Sequence, residues 1–267
     1  FCRSHSLKSI SNFLAMSYKF KYTPEESSAC GVGFITSRKG HYSHQHLTEG
    51  LHALTCVEHR GACAADGVTG DGAGIMADIP FDMLGFKKDA VAVATLFLDP
   101  DEAKQRKALA VFEKNFSFFG LEILKYRDVP VNHDILGADA KDNVPVIKHA
   151  IIQRPERSKT NLSFDKRLYN AKQLTRSKLT EAQLLDSLHF ASLSAQTIVY
   201  KALTKANALA DFYPDLKNPA FETRFCLFHR RFSTNTRTSW DKIQPFRLIG
   251  HNGEINTIAG NRSWAKS

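Results

Sequence analysis

Nowhere in the 267 residues does an apolar run approach the roughly 18 residues that would suggest a membrane span, so no membrane is expected among the partners. Acidic residues are in short supply: 27 Asp and Glu face 36 Lys and Arg, giving a formal charge of +9. The excess is concentrated between Lys148 and Lys178, in Arg154, Arg157, Lys159, Lys166, Arg167, Lys172, Arg176 and Lys178. That stretch lacks the interleaved aromatics that single-strand stacking needs, and the chain lacks the recognised nucleic-acid reader motifs. A solvated face or a partner-docking surface is expected there, and no nucleic acid. The cysteines number only five and have no paired framework spacing, which points to a reducing compartment. Cys56-x-x-His59-x-x-x-Cys63 lacks a second pair at zinc spacing, so the expectation is buried thiols and no metal. The glycines of Gly67-Val68-Thr69-Gly70-Asp71-Gly72-Ala73-Gly74 lack the Lys-Ser/Thr of a phosphate loop, and Asp71 would repel phosphate. They read instead as a glycine-rich approach to a strand.

What is present is a chain long for one domain, with an ordinary apolar content, that does not demand two domains. The first 15 residues carry Arg3, Lys8, several serines and no acid, which fits either an organellar transit segment or a disordered tail. Residues 1–29 are expected to be a leader, propeptide or targeting segment, with Met16 a candidate initiator, and residues 30–267 one domain. Cys30 to Thr36 reads as a strand, Ser37 to Gly40 as a turn, and His44 to Glu58 as a helix through Leu47, Leu51, Leu54 and Val57. Val91 to Leu98 reads as a buried strand, Ala103 to Phe119 as a helix with an acidic start, and Leu121–Val129 and Val146–Gln153 as strands. Leu162 to Ser177 is mixed and basic, Thr180-Glu181-Ala182-Gln183 resembles a helix start, and Ala191 to Ser194 opens a strand at Thr197 to Lys201. Asp211 to Phe221, with Pro214 and Pro219, reads as a loop, and Phe225–Phe228 and Arg247–Gly250 as short strands. Strands separated by helices, with polar motifs at strand ends, indicate an α+β sandwich.

The chemistry-bearing stretches are Ser28-Ala29-Cys30-Gly31-Val32-Gly33-Phe34-Ile35, Arg230-Arg231-Phe232-Ser233-Thr234-Asn235-Thr236 and Gly250-His251-Asn252-Gly253-Glu254. Alone, a strand cysteine is usually inert core, Asn-Gly a turn and an arginine a surface ion pair. Their ordered coincidence is what carries weight. With His59-Arg60-Gly61-Ala62, Thr69-Gly70-Asp71-Gly72-Ala73-Gly74-Ile75, Ser192-Leu193-Ser194, Thr197-Ile198-Val199-Tyr200-Lys201 and His251-Asn252-Gly253-Glu254-Ile255-Asn256-Thr257, the set resembles the class II, N-terminal-nucleophile glutamine amidotransferases. Within them it is most similar to the amino-terminal domain of the glutamate synthase large subunit.

That resemblance implies a four-layer αββα sandwich and hydrolysis of the glutamine side-chain amide to glutamate and ammonia. It implies Cys30 as nucleophile, Asn252 and Gly253 as oxyanion donors and Arg60 as a supporting residue. It further implies Arg231 on the substrate α-carboxylate, with Thr234 and Asn235 beside it. A thiol of pKa ~8.5 needs a base, and removal of the leader would supply the Cys30 α-amine at about 7.7 to 8.0. Arg237-Thr238 stands where the family generally has Phe-Pro, and the family's ammonium-binding aspartate is expected beyond Ser267, the domain being truncated at its carboxyl end. The segment is expected to carry no cofactor and no metal. FMN, an iron–sulfur cluster and NAD(P)H or ferredoxin would belong to the complete enzyme, in cytoplasm or plastid. Its partners would be glutamine, the remaining synthase domains, and a small subunit or ferredoxin. The alternatives are another class II glutamine amidotransferase, or a non-catalytic amidotransferase-like assembly module.

Overall fold

The computed structural model describes residues 31–64, 66–230 and 239–246. The expected leader and the strand expected at Arg247–Gly250 lie outside the described residues. In chain order the main elements are β1 (Gly31–Thr36), α1 (His44–Cys56), β2 (Ala73–Asp78), β3 (Val91–Leu98), α2 (Glu102–Phe118), β4 (Ile123–Asp128), β5 (Val146–Gln153), α3 (Asn161–Glu181), β6 (Leu188–Ser194), β7 (Thr197–Ala202) and β8 (Phe225–Arg230). They form two antiparallel four-stranded sheets, ordered β1-β8-β2-β7 and β4-β5-β3-β6.

The layering follows from strands that bury both faces. Along β3, Val91, Val93 and Phe97 join the core shared with β2 and β7, while Ala92, Ala94, Leu96 and Leu98 join the core beneath α2 and α3. A period of two thus feeds one strand into two cores, making a central sheet covered on both sides. On the outer side of the first sheet, α1 starts where Ser43 Oγ accepts from Gln45 N (3.0 Å) and buries Leu47 and Leu54. Gly50 leaves room for the buried Cys226 of β8, to which its helix packs closely. The result is an α+β sandwich of helix, sheet, sheet and helices, the N-terminal-nucleophile hydrolase arrangement expected.

Polar groups also cross the space between the sheets. Arg127 on β4 donates to both carboxylate oxygens of Asp215 (2.8 and 2.7 Å), and the Tyr200 hydroxyl on β7 donates to the same carboxylate (2.9 Å). His149 on β5 lies edge-on to Tyr200, and burial, then the charge of Arg127, pushes its pKa down to about 3.

Three expectations need correction. The basic stretch after Leu162 is the interior of the 21-residue α3, and Thr180-Glu181-Ala182-Gln183 is its end rather than a helix start. The helix begins at Thr160 with a capping box, Ser163 N donating to Thr160 Oγ1 (3.1 Å) and Thr160 N to Ser163 Oγ (3.2 Å). Its buried stripe of Phe164, Leu168, Ala171, Thr175 and Leu179 packs beside α2, and the chain leaves at Gln183 with φ 57°. Lys166, Arg176 and Lys178 point to solvent, as a solvated face requires.

Secondly, Ala191–Ser194 does not merely open the strand at Thr197. It ends β6, and the turn at Ala195-Gln196 carries the chain into β7 of the other sheet. Ser194 Oγ accepts from Gln196 N (3.0 Å) and Thr197 N (3.3 Å), closing that corner locally. Ser192 Oγ donates to Thr95 and accepts from Val199 N across the corner. Thirdly, Cys56 and Cys63 are exposed, because α1 ends at Cys56 and the chain then runs along the surface; only Cys226 of the described cysteines is buried.

Candidate active site

Where β1 begins and β8 ends, the antiparallel register sets Gly31 opposite Arg230. A Cβ built on Gly31 would fall 2.5 Å from the Arg230 carbonyl oxygen and 3.2 Å from the Cβ of Arg60. Arg60, half-buried, ends the single 3₁₀ turn Glu58–Arg60 that follows α1. The turn is held there by Glu58, whose carboxylate accepts from Arg230 Nη2 (2.8 Å) and Nε (3.1 Å) and from Ala206 N (2.7 Å).

Arg230 is the fixed centre of this corner. Its side chain is fully buried and it also donates to Asp71, to the Gly72 carbonyl (3.1 Å) and to the Ala62 carbonyl (3.4 Å). Burial alone would lower the guanidinium pKa, but the hydrogen bonds to Glu58 and the charge of Asp71 outweigh it and the net direction is upward. Removing one partner of such a buried pair typically costs about 3–5 kcal/mol, because a desolvated charge is left behind. The cluster therefore ties β8, the 3₁₀ turn and the glycine-rich loop into one rigid unit. Gly61 explains the His-Arg-Gly motif: a Cβ there would run into the Arg230 guanidinium.

Beside this corner opens a groove of about 1550 Å³ whose wall includes Asp71, Cys63, Phe97, His189, Trp240 and Phe246. Burial, then the charge of Lys201, pushes the His189 pKa down to about 3, so its imidazole is neutral at physiological pH. Among the described residues no group of three or more His, Cys, Asp or Glu is placed to hold a metal ion. Among them, too, no helix is long and apolar enough to cross a membrane.

Of the residues expected at the site, Arg60 is described and stands against the start of β1. Cys30, Arg231, Thr234, Asn235, Asn252 and Gly253 lie outside the described residues. The structure brings together the His-Arg-Gly turn, the Thr-Gly-Asp-Gly-Ala-Gly loop and the end of β8. Sequence reasoning missed Arg230 and Glu58. The available signal was the alternation of β8, in which Cys226, Phe228 and Arg230 share the buried face, so that the arginine occupies an apolar register.

A family model described as glutamine amidotransferases class-II matches residues 30–267. Ferredoxin-dependent glutamate synthase 2 of Synechocystis sp. is 42% identical over 250 residues, covering 90% of this chain and 16% of that protein. The chloroplastic ferredoxin-dependent glutamate synthase 2 of Arabidopsis thaliana is 39% identical over 252 residues, covering 91% of this chain and 15% of that protein. The NADPH glutamate synthase large chain of Azospirillum brasilense is 36% identical over 267 residues, with 96% of this chain and 18% of that protein covered. The chain thus spans between 15% and 18% of the length of these curated relatives.

Proposed function

Because the chain belongs to the class-II glutamine amidotransferases, we propose that it hydrolyses the side-chain amide of glutamine to glutamate and ammonia with Cys30 as nucleophile. The observation that supports this most is the register of β1 on β8, with Arg60 packed against Gly31. Along the chain, Cys30 directly precedes β1 and Arg231 directly follows β8. Residues 1–29 act as a leader in this reading, and its removal frees the Cys30 α-amine.

That amine, near pKa 8, takes the thiol proton, and the thiolate adds to the amide carbon. Asn252 and Gly253 donate to the resulting oxyanion, each such donor contributing on the order of 100-fold to 1000-fold in rate. Collapse breaks the C–N bond, the ammonium of Cys30 returns the proton to the departing nitrogen, and a thioester remains. Water then adds to the thioester, glutamate leaves and the thiol is restored. Arg231 grips the α-carboxylate in a bidentate contact that Lys would not reproduce, with Thr234 and Asn235 orienting the substrate. Arg60 supports the nucleophile from the 3₁₀ turn.

The names of the relatives support a larger role: the ammonia feeds glutamate synthesis from 2-oxoglutarate in a longer protein that draws electrons from ferredoxin or NADPH. FMN and an iron–sulfur cluster belong, in this reading, to other parts of that protein, with a small subunit or ferredoxin as partner and cytoplasm or plastid as the compartment. The test is Cys30→Ala in the complete protein. It should abolish glutamate release from glutamine yet leave ammonia-dependent glutamate synthesis intact; retained glutamine use would sink the assignment.

A further inference from the structure

Lys201, near the end of β7, is fully buried. Its Nζ donates to the carbonyls of Ile243 (2.9 Å) and Asp241 (3.3 Å) and lies 4.7 Å from the centre of the Phe246 ring. These acceptors belong to one short strap, residues 239–246, laid over the ends of β2 and β7. Gly74, opposite Lys201 in the β2–β7 register, has no side chain because a Cβ there would meet the Gln244 carbonyl. Trp240 anchors the front of the strap, donating to the Ala140 carbonyl (3.3 Å) and packing edge-on to Phe97 at 6.0 Å. From below, the Tyr213 hydroxyl donates to the Lys201 carbonyl (2.8 Å) and fixes the lysine's own backbone.

An ammonium is a costly group to bury, and an apolar side chain would fill the same space at less expense. The reason to keep it lies in what it holds: two backbone carbonyls that no aliphatic side chain could satisfy. Along the chain, the strap is the link between the Arg231–Thr236 stretch and the Asn252-Gly253 pair. We propose that Lys201 is a positioning residue for glutamine hydrolysis, which fixes the strap and thereby the relative placement of the substrate-binding and oxyanion-binding stretches at its two ends. The inference rests on the site reading above. The charged and titratable groups facing Lys201 are Asp241 from the strap, Lys172 from α3 and His189 from β6. Burial pushes its pKa down to about 7, raised somewhat by Asp241 and lowered by Lys172.

The experiment compares wild type, Lys201→Met and Cys30→Ala in the complete protein, by hydrogen exchange over residues 239–246 and by glutamine turnover. Lys201→Met should speed exchange in the strap without changing it in β3 and β5. It should lower kcat and raise KM for glutamine together, reducing kcat/KM by about 10- to 100-fold, as expected for an ångström-scale misplacement. Alkylation of Cys30 should proceed at the wild-type rate, because the thiol's own base is untouched. Unchanged strap exchange, or faster exchange with normal turnover, would overturn the proposal. So would a loss of activity accompanied by faster exchange throughout both sheets, which is the mark of a purely structural role. If Lys201→Met does not fold, Lys201→Gln replaces it: its amide donor should restore part of the strap protection and part of kcat/KM, and failure of the two to move together overturns the proposal. Normal turnover by Cys30→Ala would instead refute the site reading, a result distinguishable by the strap exchange measured in parallel.

Discussion

Replacing Arg230 with Met would test whether the corner beneath the site is held by charge. The substitution keeps most of the apolar volume but removes the hydrogen bonds that Arg230 donates to Glu58, Asp71, Gly72 and Ala62. Asp71 is 13% exposed and Glu58 35%, so Asp71 loses this ion pair largely out of water while Glu58 recovers some hydration. The expected cost is therefore about 3–5 kcal/mol, nearer the lower end for the share carried by Glu58. At about 2–4 °C per kcal/mol for a domain of this size, the melting temperature should fall by about 6–20 °C. Arg230→Lys should land between, because one ammonium cannot reproduce the fork that engages Glu58 through two nitrogens. Thermal melts and urea titrations of the three proteins read this directly. A loss below about 1 kcal/mol for Arg230→Met would mean that the cluster is not what fixes the 3₁₀ turn against β8.

Other outcomes follow from the same structure. His149 and His189 are both pushed down to about 3 by burial against about 6.5 unfolded, so below pH 6.5 the unfolded chain binds more protons and stability falls. Between pH 7 and pH 5 each should remove about 2 kcal/mol; His149→Gln should flatten the slope, and stability that rises on acidification would refute the reading. The thiol of Cys226, pushed up to about 12 by burial, should resist alkylation at pH 8 until the protein unfolds, while the exposed Cys56 and Cys63 react in the native state. Mass mapping of alkylated peptides checks this, and native labelling of Cys226 would contradict the packing of α1 on β8.

Much of the fold was legible because local signals and tertiary packing agree. β3 emerges from a nearly continuous apolar run broken only by Thr95, β5 from Val146-Ile147 and Ala150-Ile151-Ile152 on either side of Lys148-His149, and α2 from Asp101, whose carboxylate accepts from Ala103 N (2.8 Å) and Lys104 N (3.2 Å). The helix α3 was hidden because only a narrow stripe of it is apolar and its cap residues, Thr160 and Ser163, are modest signals within a basic stretch. The β6–β7 corner was read as one strand because a two-residue turn between apolar runs leaves no Gly or Pro to mark it. At the site, the motifs drew attention to Arg231 while the buried Arg230 beside it, which organises the corner, was visible only through strand alternation. Lys201 likewise stood within a recognised motif, but its grip on two carbonyls depends on residues some 40 positions further along the chain.

The most direct measurement is glutamate release from glutamine by the complete protein in two forms, one beginning at Cys30 and one retaining Ala29. With the α-amine as base, the first should turn over and the second should fall by about 100-fold or more, since amide capping removes the proton acceptor. Equal rates from the two forms would contradict the account at its centre.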